Sequence, residues 1–158
     1  MPVSLLIKMS KEIETVKCFK IECAQAASKL RKLVVEGGDA IEGPFDGEEG
    51  ITLFADLEAG ATGNMSSAMI PDLIKPVVLD YLAGEFDKSE DKYNNILPVI
   101  NYENRQCGFR ATKVIMREGG VINSDFCRHP IPPLEEQTKA GLIKLIKKYD
   151  PIALSWGK

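Results

Sequence analysis

Lys20 is the residue of this sequence whose type and position most favour covalent chemistry. It lies in residues 16–22, whose composition predicts a β-strand. Side chains alternate along a strand, so Phe19 and Ile21 share the face opposite to Lys20. If that apolar face packs against helices, Lys20 projects from the other face, where a desolvated amine loses its charge and attacks a ketone. A simpler alternative stays open, namely a surface lysine that pairs with Glu22.

Two glycine-rich segments follow that are suited to holding a small molecule. Residues 42–50 combine glycines with acidic side chains, which would allow close backbone approach and bind the hydroxyl groups of a polyol. The alternative is a glycine turn whose carboxylates lie near the N-terminus of the next helix. Residues 60–67 would let a substrate lie against the backbone, or would only permit tight packing between a strand and a helix.

Three strand-like segments separated by helical segments indicate how these residues are positioned. The βα alternation predicts a parallel sheet, and only helical patterns follow the third strand. The fold class predicted is therefore α/β, with three βα units and a helical tail. The predicted strands are 16–22, 40–45 and 60–66, and the predicted helices are 4–13, 24–35, 50–58, 71–85, 88–100, 107–118 and 134–149.

Composition and charge exclude several classes of function. The net charge of −3 gives no indication of nucleic acid binding. The four cysteines have no CxxC spacing and His129 is the single histidine, so we expect no metal site. No apolar run has the length that a membrane span needs. We expect a cytoplasmic protein with no nucleic acid partner and no membrane.

Several motifs in order resemble the dihydrodipicolinate synthase / N-acetylneuraminate lyase family. "VKCFKIE" is similar to the family's sixth strand, "IEGPF" to its seventh and "GATGNMSSAM" to its eighth. The resemblance implies that residues 1–86 are the last three βα units of a partial TIM (β/α)8 barrel, and that residues 87–158 are a helical C-terminal extension. The family's first five strands have no counterpart in this sequence.

The resemblance also implies an activity and a set of site residues. Within the family, "GPFDGEEGITLFADLEAGATG" and "ENRQCGFRATKVIMREGGVI" are most like the 2-keto-3-deoxy sugar-acid dehydratases. These are Schiff-base lyases that act on a 2-keto acid, use no metal or diffusible cofactor, and form homo-oligomers. Lys20 would be the imine-forming catalytic lysine. The implied substrate-binding residues are Gly43 and Met65 through their backbone, and Phe45, Asp46, Glu48, Ser66 and Ser67 at the hydroxylated end.

Two alternatives to dehydration remain open at this point. The same imine supports aldol cleavage, and the family's proton-shuttling tyrosine, which steers this choice, lies on a strand without a counterpart here. The chain by itself is also compatible with an inactive truncated fragment or a helical interaction module. An open sheet edge would then favour self-association or pairing with another chain.

Overall fold

The computed structural model describes all 158 residues, which form three short strands, seven α-helices and their connecting turns. In chain order the elements are α1 (Val3–Glu12), β1 (Cys18–Ile21), α2 (Ala26–Gly37), β2 (Gly43–Asp46), α3 (Leu53–Glu58), β3 (Gly63–Asn64), α4 (Pro71–Leu82), α5 (Phe86–Tyr102), α6 (Arg110–Glu118) and α7 (Glu136–Ile146). The predicted α/β organisation with a helical tail is confirmed.

The three strands form one parallel sheet in the order β1-β2-β3. Lys20 lies opposite Phe45, and Phe45 lies opposite Gly63. Asp46 lies opposite Ile21 on one side and opposite Asn64 on the other. Because residues at the same level of a parallel sheet point to the same side, this register defines two faces with different residues.

One face of the sheet is buried under helices and supplies part of the core. In β1, Phe19 and Ile21 are buried while Cys18 and Lys20 are exposed, as strand alternation predicts. Helix α2 faces this side and buries Leu30 and Leu33 completely. The apolar side chains at these positions therefore decide which face of the sheet meets the helices.

Helices α4 and α5 join the sheet region to the helical tail. Ser89 of α5 donates a buried hydrogen bond of 2.8 Å from its hydroxyl to the carbonyl of Val77 in α4. Buried residues from α1 to the C-terminus form one continuous apolar cluster. The boundary predicted at residues 86 and 87 stays a prediction, and the core crosses it without interruption.

The observed bounds differ from the predicted ones mainly in the strands, which are shorter than predicted, and in the turn between α5 and α6. The second strand was predicted at 40–45 and occupies Gly43–Asp46, and the third is only Gly63–Asn64. The helix predicted at 107–118 begins at Arg110, because a π-helical turn at Glu103–Cys107 extends the end of α5. None of the helices has both the length and the apolar composition that crossing a bilayer requires.

A pair of aspartates is buried between the sheet and α3. Asp46 of β2 and Asp56 of α3 are both fully buried, and Asn64 donates a hydrogen bond to Asp46 Oδ2. Thr52 donates to Asp56 Oδ2 at 2.9 Å, whereas the Oδ1 atoms of both aspartates have no partner. Burial, together with the adjacent Asp56, raises the pKa of Asp46 to about 9. One proton held by the pair avoids two buried negative charges.

Leu33→Ala should destabilise the chain, because Leu33 is completely buried under the sheet. Deleting a buried leucine side chain costs about 2–5 kcal/mol, including the cavity that remains. Urea denaturation would measure the loss. Val35→Ala on the same helix is the matched control, since Val35 is 82% exposed and should change the free energy of unfolding by less than about 0.5 kcal/mol. Equal losses for the two variants would contradict the packing described.

Asp46→Asn should remove a pH dependence of stability. The pKa of Asp46 is raised in the folded state. Its contribution to the free energy of unfolding is therefore fully present below the ordinary aspartate pKa of about 4. It is lost as the pH rises towards the folded value of about 9, because the folded chain holds a proton that the unfolded chain releases. Urea midpoints of the wild type between pH 4 and 9 should decline more steeply than those of the variant.

Asp39→Asn is the control for that measurement. Asp39 is exposed at the end of α2, so the variant should keep the wild-type dependence on pH. A wild-type curve that does not fall between pH 4 and 9 would show that the pair does not hold a proton.

Candidate active site

The parallel sheet brings three of the predicted site residues, Lys20, Gly43 and Phe45, onto one face. We define the Lys20 face as Cys18, Lys20, Gly43, Phe45 and Gly63, which the parallel register places on the same side of the sheet. Lys20 is the third of the four residues of β1, one residue before the strand ends. In parallel α/β structures, active groups gather at the carboxyl ends of the strands.

Two glycines allow the aromatic ring of Phe45 to lie against the neighbouring backbone. A Cβ atom at Gly43 would lie 2.7 Å from the Phe45 ring, and one at Gly63 would lie 2.8 Å from it. Real Cβ atoms do not approach a ring so closely, so any larger residue at either position would displace Phe45. The glycines of the predicted substrate segments thus have a steric role beside Lys20.

Lys20 is charged and paired in this structure. Its Nζ lies 2.8 Å from Glu22 Oε2, and the lysine side chain is 36% exposed. The hydrogen bond that Lys20 donates to Glu22 raises the pKa of Lys20, and partial burial opposes this rise only in part. The carboxylates of Glu49 and Asp46 add to the rise. The expectation of a desolvated, uncharged Lys20 is therefore wrong for the chain in this state, because an anion and water both reach the ammonium.

The loop that follows β2 carries acidic groups close to Lys20. Glu48 and Glu49 both have positive φ values, of 50° and 57°, which are uncommon for residues with a side chain. At Gly47, just before them, an added Cβ would lie 2.9 Å from Cε of Lys20. The backbone of this loop is thus bent tightly around the lysine stem, and Glu48 is half-buried.

The helical tail holds this loop in place, which sequence reasoning did not foresee. The Tyr93 hydroxyl donates to the carbonyls of Gly50 at 3.1 Å and Ile51 at 2.8 Å. Asn104 donates from Nδ2 to the carbonyl of Glu48 at 3.2 Å. Asn104 lies in the stretch "ENRQCGFRATKVIMREGGVI", but these contacts leave no local pattern in the sequence, since they span between 42 and 56 positions of the chain.

The segment that follows β3 contributes the remaining predicted residues. Met65 is 39% exposed and its N–H donates to the carbonyl of Asp46 at 2.9 Å, so its own carbonyl is the backbone group left for a ligand. Ser66 lines a cavity of about 210 Å³ against α4, together with Asn64. The hydroxyl of Ser67 accepts a hydrogen bond of 3.3 Å from the N–H of Met69.

Asp46 is a predicted substrate ligand whose side chain lies on the opposite side of the sheet from Lys20. Its side chain points into the helix-covered interior, where it pairs with Asp56 and Asn64. Strand alternation accounts for this, because Phe45 and Asp46 are neighbours in β2 and cannot point to the same side. We therefore correct the expectation of a direct substrate contact for Asp46. The negative charge of its carboxylate still raises the pKa of Lys20.

A cavity of about 220 Å³ lies beside Lys20 and includes Phe19, Glu22 and Lys29 in its lining. This is smaller than the usual volume of a ligand pocket. A larger cavity of about 610 Å³ lies around His129 in the tail and shares no residue with the Lys20 face. The chemistry of the predicted residues, rather than cavity size, identifies the candidate site.

The sequence matches one family model along nearly its whole length. Residues 3–149 match the dihydrodipicolinate synthetase family. The chain is also 51% identical over 151 residues to a protein of Azospirillum brasilense named L-2-keto-3-deoxyarabonate dehydratase. That alignment covers 96% of this chain and 49% of the relative, so the chain spans about half the length of the curated relative that it matches.

Solved structures with the same fold give the same proportions. Dihydrodipicolinate synthase from Aquifex aeolicus superposes with a TM-score of 0.81 at 19% identity, over 95% of this chain and 50% of that one. A protein from Pseudomonas aeruginosa described as a putative dihydrodipicolinate synthetase superposes with a TM-score of 0.80 at 22% identity, over 94% and 50%. At these identities the likeness concerns the fold. Together with the match along residues 3–149, it shows that the chain belongs to the dihydrodipicolinate synthetase family.

Proposed function

We propose that this chain carries the Schiff-base lysine of a lyase that acts on 2-keto-3-deoxy sugar acids. Its three strands would be the last three of a (β/α)8 barrel, with the Lys20 face turned towards the barrel interior. The observation that carries the proposal is the place of Lys20 on the exposed face of a parallel sheet, beside Phe45 and its two glycines. The match to half of each related chain supports the partial barrel.

Lys20 would act as the nucleophile in this reaction. Its neutral amine adds to the C2 ketone, and loss of water from the adduct gives a protonated imine. The imine withdraws electrons while a proton leaves C3, which produces an enamine. The enamine expels the C4 hydroxyl group as water once that group has taken up a proton. The unsaturated imine that remains loses a proton from C5 and takes one up at C3, which gives an enol at C4 and C5. This enol becomes the C5 aldehyde when it gains a proton at C4 and loses its hydroxyl proton. Hydrolysis of the imine then releases the product and restores the lysine.

The substrate we propose is L-2-keto-3-deoxyarabonate, which this route converts to 2-oxoglutarate semialdehyde. The relative with 51% identity is named as the dehydratase of this compound, which favours water loss over aldol cleavage. Gly43 and Met65 would offer backbone groups to the keto-acid end of the substrate. Phe45, Glu48, Ser66 and Ser67 would contact its hydroxylated end. Analysis of the products separates the two routes, since cleavage would yield pyruvate and glycolaldehyde.

The charge of Lys20 limits the reactivity of its amine in this structure. Only a neutral amine forms an imine, and the ion pair with Glu22 favours the charged form. Covering the Lys20 face with further strands would remove water from the amine and lower its pKa. The ion pair and the unpaired outer edges of β1 and β3 together favour a second candidate role for the chain by itself, that of a non-catalytic module that pairs with another chain.

Borohydride reduction in the presence of pyruvate, the simplest substrate-like keto acid, should add mass at Lys20. Incubation at pH 9–10 increases the neutral amine, and peptide mass spectrometry locates the adduct. Lys20→Ala should abolish the adduct, whereas Lys29→Arg should keep it, since Lys29 lines the same cavity. An adduct spread evenly over several lysines, or absent from Lys20, would contradict the catalytic role and support the non-catalytic one.

Glu22→Gln should increase trapping at Lys20 several-fold at pH 8. The variant removes the largest cause of the raised pKa of Lys20, so a greater fraction of the amine is neutral below that pKa. The same mass measurement detects the change. Glu12→Gln is the control, because Glu12 pairs with Lys8 on α1 at 3.9 Å and should leave Lys20 unaffected. Trapping that does not respond to Glu22 would show that the ion pair does not set the reactivity.

A further inference from the structure

The loop that follows β2, residues 47–51, holds three consecutive residues in the left-handed region of the backbone; we call it the β2 loop. The φ values of Glu48, Glu49 and Gly50 are 50°, 57° and 81°. Glycine adopts such values freely, whereas a residue with a side chain is strained there. Strained backbone persists only where its surroundings fix it, and it is concentrated at sites that bind ligands. The contacts that fix this loop therefore bear on the candidate site.

The β2 loop lies directly against the candidate lysine. A Cβ atom at Gly47 would lie 2.9 Å from Cε of Lys20 and 2.9 Å from Cβ of Glu22. No side chain fits between the loop and the lysine stem, so any movement of the loop changes the space beside the amine. Glu48, predicted as a substrate ligand, is the next residue of the loop and is half-buried.

Asn104 ties the first strained residue of the loop to the end of α5. Its Nδ2 donates to the carbonyl of Glu48 at 3.2 Å and to the carbonyl of Ile100 at 3.2 Å. A carboxamide nitrogen carries two hydrogens, so both donor positions of Asn104 are used. The Glu48 carbonyl also accepts the N–H of Ile51 within the loop at 3.2 Å. The peptide group that follows Glu48 is thus fixed by two hydrogen bonds, one from the loop and one from the tail.

Tyr93 of α5 holds the other end of the β2 loop. Its hydroxyl donates to the carbonyls of Gly50 at 3.1 Å and Ile51 at 2.8 Å, and its side chain is only 7% exposed. The Tyr93 ring stacks on Phe54 of α3 with ring centroids 6.1 Å apart, which fixes the position of the hydroxyl. Together with Asn104, the tail therefore holds three carbonyls of a loop of five residues.

We propose that Tyr93 and Asn104 are positioning residues for the candidate site. Their hydrogen bonds keep the β2 loop in the backbone conformation that presents the Glu48 carboxylate to the hydroxylated end of the keto acid. A fixed φ at Glu48 fixes the direction of its Cα–Cβ bond, whereas a loose loop would have to be ordered each time a substrate binds. The tail thereby gives the site a preference for hydroxylated over plain keto acids. This inference rests on the proposed function, in which Glu48 contacts the substrate.

The test is a competition between two keto acids for borohydride trapping at Lys20. Pyruvate carries no hydroxyl group, whereas L-2-keto-3-deoxyarabonate carries two, and its intact and dehydrated adducts are counted together. The ratio of the hydroxylated to the plain adduct does not depend on the charge of Lys20, which affects both keto acids equally. Tyr93→Phe and Asn104→Ala should each lower this ratio about tenfold, the effect of losing one hydrogen bond to a charged group, and should keep the pyruvate adduct.

Tyr102→Phe is the matched control, because it makes the same chemical change on the same helix. The Tyr102 hydroxyl donates to the carbonyl of Thr138 at 3.2 Å, a contact within the tail. This variant should therefore keep the wild-type ratio. Equal losses of both adducts in Tyr93→Phe, or equal falls of the ratio in Tyr93→Phe and Tyr102→Phe, would overturn the proposal.

A double variant tests whether the tail acts through Glu48. Glu48→Ala should lower the ratio about as much as Asn104→Ala. The two substitutions together should lower it no further, because Asn104 affects the ratio only through the Glu48 carboxylate. Additive losses would show that the two residues act separately, and the positioning role would then be wrong.

Hydrogen exchange distinguishes failure of this inference from failure of the proposed function. The amides of Gly50 and Ile51 donate to carbonyls within the β2 loop. Their exchange should be faster in both tail variants than in the wild type, and unchanged exchange would contradict the hold of the tail on the loop. If both keto acids label Lys20 and the ratio does not change, the positioning role alone is wrong. If neither labels Lys20 in the wild type, the proposed function is wrong and the preference for hydroxylated keto acids fails with it.

Discussion

Parallel pairing of β1, β2 and β3 in one register constrains every residue of the candidate site. The pairs Lys20–Phe45 and Phe45–Gly63 follow from that register, and with them the composition of the exposed face. The same register sends Ile21 and Asp46 to the opposite face. A shift of one residue in any strand would exchange the two faces, so the packing of apolar side chains under α2 also holds the lysine in place.

The pKa of each titratable group in the chain depends on how completely the fold removes that group from water. Asp46 and Glu103 are buried without full hydrogen bonding, and burial is the largest cause of the raised pKa of each. Lys20 is the reverse case, because a partner carboxylate outweighs a modest desolvation. Lys20 is thus a charged amine paired with an exposed carboxylate, whereas burial disfavours the charge of Asp46 on the other side of the sheet. Removing water from the amine is the change that would make it a nucleophile.

The helical tail is part of the site's architecture even though Lys20 and the glycines all precede it. Tyr93 and Asn104 of α5 and the turn after it hold the carbonyls of the β2 loop. These contacts explain why the buried core continues across residues 86 and 87. A tail that fixes the β2 loop keeps its strained backbone, such as that at Glu49, in one conformation.

The sequence by itself determined the α/β class, the order of strands and helices, and the segments that carry the site. These depend on local periodicity and on glycine positions, which a single chain displays directly. Alternation within β1 already separated Lys20 from Phe19, and the same rule applied to β2 separates Phe45 from Asp46. Alternation along β2 therefore already excluded Asp46 from the Lys20 face, although Asp46 was predicted as a substrate ligand.

Only the tertiary structure decided the charge of Lys20 and the role of the tail. Desolvation and pairing with Glu22 act on the amine in opposite directions, and their balance depends on how much water the folded chain leaves around it. Tyr93 meets the carbonyls of Gly50 and Ile51 across 43 and 42 positions of chain, a contact made by packing of α5 against the β2 loop and by no local pattern. Periodicity predicts which face of an element is buried, whereas the partner that covers it emerges only when distant segments fold together.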